Sequence, residues 1–177
     1  MLQSRSLSRR QVCRALLLGF TGFAVRPLTS DAGIGERGAV RIIVLKSERK
    51  LILLRGESLL ATFPVALGAR PIGPKLQQGD ARTPEGFYFI DGVNPRSRFH
   101  RALHISYPNA EDVRRAHGAG VAPGGDIEIH GMPNSYGQFD PVTFYRDWTD
   151  GCIAVGNRAI EEIWASVGIG TPVEIRA

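Results

Sequence analysis

Cys152 stands in the run Asp147-Trp148-Thr149-Asp150-Gly151-Cys152-Ile153-Ala154-Val155, and His130 closes the run Asp126-Ile127-Glu128-Ile129-His130. A thiol with an ordinary pKa near 8.5 is mostly protonated at neutral pH, so a cysteine that attacks a carbonyl needs a base or a cation beside it. An imidazole supplies that base. Gly151 permits close approach of backbone to a substrate, and amide N–H groups at or beside Cys152 could stabilise the oxyanion of an acyl-transfer intermediate. Thr149 and Asp150 could orient such a site by hydrogen bonding, or stabilise the turn that carries it. Gly131, directly after the histidine, lets the chain turn without a side chain crowding the imidazole. These residue types point to acyl transfer with Cys152 as nucleophile and His130 as base.

The pair needs elements to position it. Alternation in 126–130 sends Ile127 and Ile129 to one face of a strand, and Asp126, Glu128 and His130 to the other. His130 then stands at a strand end. Twenty-one residues separate it from Cys152, including a loop with Tyr136, Phe139, Phe144, Tyr145 and Trp148 that either lines a groove or packs on the sheet. His104 shares the polar face of its strand with Ser106 and is either site-lining or a structural hydrogen-bonding group. His100 and His117 read as surface residues. Arg96, Arg98 and Arg101 read as a solvated charged face rather than an anion site.

Short apolar runs bounded by turn residues predict strands at Val40 to Lys46, Lys50 to Arg55, Leu59 to Leu67, Gly86 to Asp91, Ala102 to Ser106, Asp126 to His130, Cys152 to Val155 and Pro172 to Arg176. Residues 68–84 form a long Gly/Pro-rich loop of the kind that often carries function. Asn109 can cap a short helix running to Gly118. A second helix is predicted from Asn157 to Gly168, because Ile160, Ile163, Trp164 and Val167 share one face, which places Trp164 in the core. The expected fold is therefore mainly β, a sandwich or barrel-like domain with a few peripheral helices.

The formal charge of +5 is concentrated at the N-terminus. Five arginines lie in residues 1–32 against Asp31 alone, and beyond that point 17 basic residues face 16 acidic ones. A nucleic-acid partner is not expected, since the body has no basic stripe interleaved with stacking aromatics. Residues 1–32 read as an export signal: a basic segment ending in Ser8-Arg9-Arg10, an apolar stretch from Ala15 to Val25, and small residues around Ser30-Asp31-Ala32. Its Ser-Arg-Arg also fits a twin-arginine signal, with a Sec signal or an uncleaved anchor as the other readings. Membrane contact is expected only through this segment if it is uncleaved. The expected location is the periplasm or cell envelope, and residues 33–177 form one catalytic domain. Of the two cysteines, Cys13 precedes the apolar stretch. Removing the signal leaves Cys152 as a lone thiol in an oxidising compartment, where cysteines usually pair.

His130-Gly131 followed by Thr149-Asp150-Gly151-Cys152-Ile153 resembles the signature of the L,D-transpeptidase (YkuD-type) catalytic domain. Thr83-Pro84-Glu85-Gly86-Phe87 resembles that family's Thr-Pro-x-Gly-x-aromatic segment, and Leu67-Gly68 its preceding Leu-Gly. The likeness runs in order from about residue 40 to the C-terminus. It implies a β-sandwich-like domain with neither metal nor organic cofactor. In that family a cysteine attacks a peptidoglycan stem-peptide amide, a histidine handles the proton, and an amine acceptor takes the acyl group. Carried over by motif, Cys152 is the nucleophile, His130 the base and then acid, and Gly151 part of the oxyanion region. Family histidines are often oriented by a backbone carbonyl, so Asp126 and Glu128 need not complete a triad. The chain departs from the pattern at Asp150, where many members have histidine, and at Ala154, where many have arginine; the family's carboxylate recognition does not carry over at that second position. Ser97-Arg98-Phe99-His100, the run 103–109 and Asp147-Trp148-Thr149 resemble a proteobacterial branch that includes an amidase acting on a lipoprotein–peptidoglycan link. Stem peptides, and a wall-linked lipoprotein, are the partners this implies.

Two other classes compete with acyl transfer. A metal site would join His130 and Cys152 with His104 or a carboxylate, but the spacing matches no recognised ligand pattern. A noncatalytic wall-binding module would retain peptidoglycan without using the thiol.

Overall fold

The computed structural model describes residues 38–136 and 146–177. The expected export signal lies outside them, as do Phe139, Phe144 and Tyr145 of the aromatic loop. Eight strands, β1 (Val40–Leu45), β2 (Lys50–Arg55), β3 (Ser58–Pro64), β4 (Gly86–Ser97), β5 (His100–Ile105), β6 (Glu128–His130), β7 (Ile153–Ala154) and β8 (Pro172–Arg176), form one sheet in the order β3-β2-β1-β8-β4-β5-β6-β7. Two α-helices, α1 (Ala110–Gly118) and α2 (Asn157–Ser166), and a short 3-10 turn at Asn134–Tyr136 complete the described domain. The expected mainly-β, barrel-like class is what the structure has. Among the described residues no helix is long and apolar enough to cross a membrane.

The sheet curls because β4 is twice the length of its neighbours. Its first half pairs with β8 and its second half with β5, with register breaks between Ile90 and Gly92 and between Asn94 and Ser97. Such bulges bend a strand and re-aim its side chains. Curling brings the two ends of the sheet together: beyond β3, Ala66 exchanges both backbone hydrogen bonds with Ala154 of β7, each 2.9 Å. The apolar faces enclose a core that includes Ile42, Val44, Leu51, Leu53, Tyr88, Ile90, Leu103, Ile105, Ile129, Ile153 and Val173.

Several element bounds differ from the sequence reading. The strand expected at 126–130 begins only at Glu128, because Asp126 has φ +54° and turns the chain out of the loop at Gly124-Gly125. Aspartate is among the residues that tolerate this left-handed conformation. Ile127 and Ile129 are nevertheless both buried, as the alternation requires. The strand expected at 152–155 is confined to Ile153–Ala154, and that expected at 59–67 ends at Pro64, because proline has no N–H to continue the ladder. Helix α1 has the Asn109 cap, whose side-chain oxygen accepts from the N–H groups of Glu111 and Asp112. Helix α2 stops at Ser166, short of the predicted Gly168, and buries Ile160 and Ile163. Trp164 packs only at the edge of the core, with the Arg101 guanidinium 4.9 Å above its ring. Arg101 also pairs with Glu161, so it is a packed residue rather than part of a solvated face; Arg96 and Arg98 are exposed. His100 is tied to the same glutamate at 2.7 Å, and His117 is exposed as expected.

Candidate active site

The site sits where β5, β6 and β7 lie side by side. β6 and β7 run parallel, with Ile129 opposite Ile153 and His130 opposite Ala154. Cys152 precedes Ala154 by two residues and so projects to the same face as His130. With about 3.3 Å per residue along a strand and about 4.8 Å between strands, their Cα atoms are roughly 8 Å apart, within the combined reach of an imidazole and a thiol.

His130 is buried, 2% exposed, with its ring 4.5 Å from that of Phe99 and 5.8 Å from that of Trp148. Its Nδ1 donates to the carbonyl oxygen of Gly131 at 2.7 Å. A carbonyl only accepts, so the neutral ring carries its proton on Nδ1 and leaves the Nε2 lone pair free as a base. Burial lowers the pKa of His130, a shift that the Gly131 carbonyl partly counters. Packing against other segments also requires a glycine at 131. A Cβ there would fall 2.7 Å from Asn157 Oδ1 and 3.0 Å from the Phe99 carbonyl oxygen.

Cys152 is a free thiol, partly buried, that opens into a cavity of about 690 Å³. Arg98, Phe99, Asp126, Glu128 and Asp150 share that cavity, as does Lys75 from the long 68–84 loop. Its Sγ donates weakly to the Asp126 carbonyl oxygen at 3.5 Å. Burial pushes the thiol pKa up to about 11; the Glu128 backbone N–H opposes the rise, and the carboxylates of Glu128, Asp150 and Asp126 add to it. Burial thus disfavours the charged form of both groups. Iodoacetamide alkylation at pH 7.5 is expected to be roughly 30-fold slower than for a free cysteine, once the greater nucleophilicity of a high-pKa thiolate is allowed for. The rate should climb about tenfold per pH unit toward pH 11. A plateau already reached at neutral pH would show a preformed thiolate–imidazolium pair instead.

The turn before the cysteine is held by Thr149. Its hydroxyl donates to the Cys152 carbonyl oxygen at 2.7 Å and accepts from the Gly151 N–H at 3.1 Å. Thr149 is thus a buried turn-former, and the Gly151 amide is already committed, which leaves the Cys152 amide as the donor at the nucleophile itself. Gly151 has φ +138°, and a Cβ there would lie 2.7 Å from the Arg82 carbonyl oxygen, so its contribution is conformational. Asp150 is exposed and lines the cavity. Ala154, where an arginine is common among chains of the resembling type, is fully buried in the ladder with Ala66. His104 is half-buried, with Nδ1 against Asp91 Oδ1.

Other supports had no periodic signal in the sequence. Lys46 is buried and donates to Glu85 and to the carbonyl oxygens of Gly73 and Thr83, tying the 68–84 loop to the sheet; burial lowers its pKa while Glu85 opposes that. The Thr83 hydroxyl accepts from the Gly68 N–H, and Asp147 pairs with Arg49 while accepting from the Leu67 N–H. Asn157 accepts from the Met132 N–H, fixing the segment after His130. Burial opposes the carboxylate of Asp80, but Lys75 and three backbone N–H groups outweigh it and hold its pKa low. Among the described residues no group of three or more His, Cys, Asp or Glu side chains is arranged to hold a metal ion.

Comparison with known proteins places this arrangement. YafK of Escherichia coli K12, whose name assigns it to the L,D-transpeptidases, is 37% identical over 134 residues, covering 72% of this chain and 47% of YafK. The chain thus spans about half the length of the curated relatives it matches. Bd1075 of Bdellovibrio bacteriovorus has a similar fold, with 25% identity, TM-score 0.57, and coverage of 78% of this chain and 48% of that one. The helical cell shape determining protein Pgp2 of Campylobacter jejuni is likewise similar in fold, at 24% identity, TM-score 0.60, and 78% and 47% coverage. The family model of the L,D-transpeptidase catalytic domain (YkuD) matches residues 39–175, and this chain belongs to that family.

Proposed function

We propose that this chain is a cysteine-dependent peptidoglycan L,D-transpeptidase-like enzyme of the cell envelope. The observation that carries the reading is a free thiol opening into a cavity, on the same sheet face as a histidine whose proton is held on Nδ1, in a member of the L,D-transpeptidase family. As Cys152 sulfur bonds to the carbonyl carbon of a stem-peptide amide, its proton passes to His130 Nε2. The Cys152 N–H stabilises the developing oxyanion. When the C–N bond breaks, the imidazolium returns that proton to the leaving amine, which leaves a thioester on Cys152. An amine acceptor then takes the acyl group in cell-wall remodelling. Residues 1–32 would deliver the enzyme to the periplasm.

A second reading uses the same first step and lets water resolve the thioester, giving an amidase acting on stem peptides or on a wall-linked lipoprotein. It is favoured by the carboxylates that share the cavity with the sulfur and can receive a proton from water. Mass spectrometry of diaminopimelate-containing muropeptides incubated with the protein, with and without an amine acceptor, separates the two. New amide-linked products are expected for the transferase, and shortened or released peptides alone for the amidase. Peptidoglycan retention with no cysteine-dependent product would defeat both and favour a binding module.

A further inference from the structure

Three side chains, Asp91, His104 and Glu128, form a row across the strands beside the nucleophile. Asp91 of β4 meets His104 through Nδ1 at 2.5 Å. The bulge at Ile90/Gly92 precedes His104's partner Gly92, where a Cβ would come 3.2 Å from His104 Cβ, so the glycine gives the imidazole its place. His104 stands directly opposite Glu128 in the β5–β6 register, where facing side chains are nearest neighbours. Glu128 is one residue before Ile129 and Cys152 one before Ile153, so continuing the parallel register makes Glu128 and Cys152 level with each other. Glu128 and Cys152 also line the same open cavity.

A molecule entering that cavity to attack a thioester on Cys152 therefore meets Glu128. We propose that Glu128 is the base for the second half-reaction, taking the proton of the incoming acceptor, and that His104, anchored by Asp91, is the positioning residue that aims its carboxylate. The inference rests on thiol catalysis by Cys152 and deepens it. Water, or an amine whose ammonium form has released its extra proton to solvent, attacks the thioester carbon and gives one proton to Glu128. The C–S bond then breaks with its electron pair on sulfur, and Glu128 passes the proton to the thiolate beside it, restoring thiol and carboxylate. Burial raises the pKa of Glu128, strengthening it as a base, while His104 pulls the other way and keeps it ionisable. Asp126 and Asp150 at the same cavity would draw an ammonium-bearing acceptor toward it.

Intact-mass spectrometry of the full chain mixed with a diaminopimelate-containing tetrapeptide muropeptide reads both half-reactions. Glu128→Gln is expected to form the Cys152 thioester within about threefold of the wild-type rate and to hold it roughly 100-fold longer, the scale of a lost general base. His104→Gln and Asp91→Asn should lengthen the lifetime by about fivefold, and neither should add to Glu128→Gln, because a positioning effect vanishes once its target is gone. Formate should shorten the lifetime in Glu128→Ala. The inference is overturned if Glu128→Gln releases the thioester at the wild-type rate, or if acylation and release fall together in all three variants. Asp91 is exposed, so Asp91→Asn tests the positioning role without touching the core. A wild-type protein that forms cysteine-dependent products but shows normal release in every variant defeats this inference alone. A wild type with no Cys152 adduct defeats the parent reading and this one with it.

Discussion

Cys152→Ala is expected to lower turnover of a diaminopimelate-containing muropeptide by roughly 10⁴-fold or more, about 5.5 kcal/mol of transition-state stabilisation. The variant should bind the substrate and keep its fold. The side chain loses one sulfur that faces an open cavity and makes only a weak 3.5 Å contact to the Asp126 carbonyl, so little packing is forfeited. What it loses is the atom that bonds to carbon. His130, the amide of residue 152 and the cavity remain, and they provide proton transfer and oxyanion stabilisation without a covalent intermediate. Product formation by high-performance liquid chromatography, with circular dichroism as the check on folding, decides it. Retention of more than a hundredth of wild-type turnover would mean the thiol is not the nucleophile.

His130→Gln should cost roughly 10³-fold in the acylation rate and change its pH dependence. With the thiol pKa near 11, only a few in ten thousand Cys152 side chains are ionised at pH 7.5. The wild type escapes that handicap because the imidazole takes the proton as the C–S bond forms. Without the imidazole, the rate depends on preformed thiolate and should rise tenfold per pH unit up to about 11. The wild-type rate should instead be nearly flat through neutral pH and fall only when His130 becomes protonated. Burial lowers the His130 pKa, so the sign is that this acid limb lies below the usual histidine range near pH 6.5. Stopped-flow acylation measured from pH 5 to 10 tests both profiles. Parallel profiles in wild type and variant would remove His130 from the proton path. The variant also loses the ring contacts with Phe99 and Trp148, so its thermal stability should be compared alongside.

What could be read in advance follows from the range of each signal. Ile127 and Ile129 are buried, as strand alternation requires, because that periodicity is local to the residues that show it. The Asn109 cap and the buried pair Ile160 and Ile163 were legible for the same reason. Thr149 was visible as a hydrogen-bonding residue near the cysteine. Its partners, the Gly151 N–H and the Cys152 carbonyl, emerge only from the folded turn, as does the loss of the Gly151 amide from the donors available to an oxyanion.

The residue types and their order along the chain determined the family, the candidate nucleophile and base, and the mainly-β class, since all three rest on short motifs or short-period patterns. Tertiary structure alone decided which groups surround the thiol. Its elevated pKa arises from burial and from carboxylates at 126, 128 and 150, and the 150 carboxylate reaches the other two only across the β6–β7 pairing. The same pairing buries Ala154, and the bulge in β4 sets Asp91 against His104. Each is a contact between strands distant in sequence, fixed by sheet register and curvature, and neither quantity is written in a local pattern of side chains.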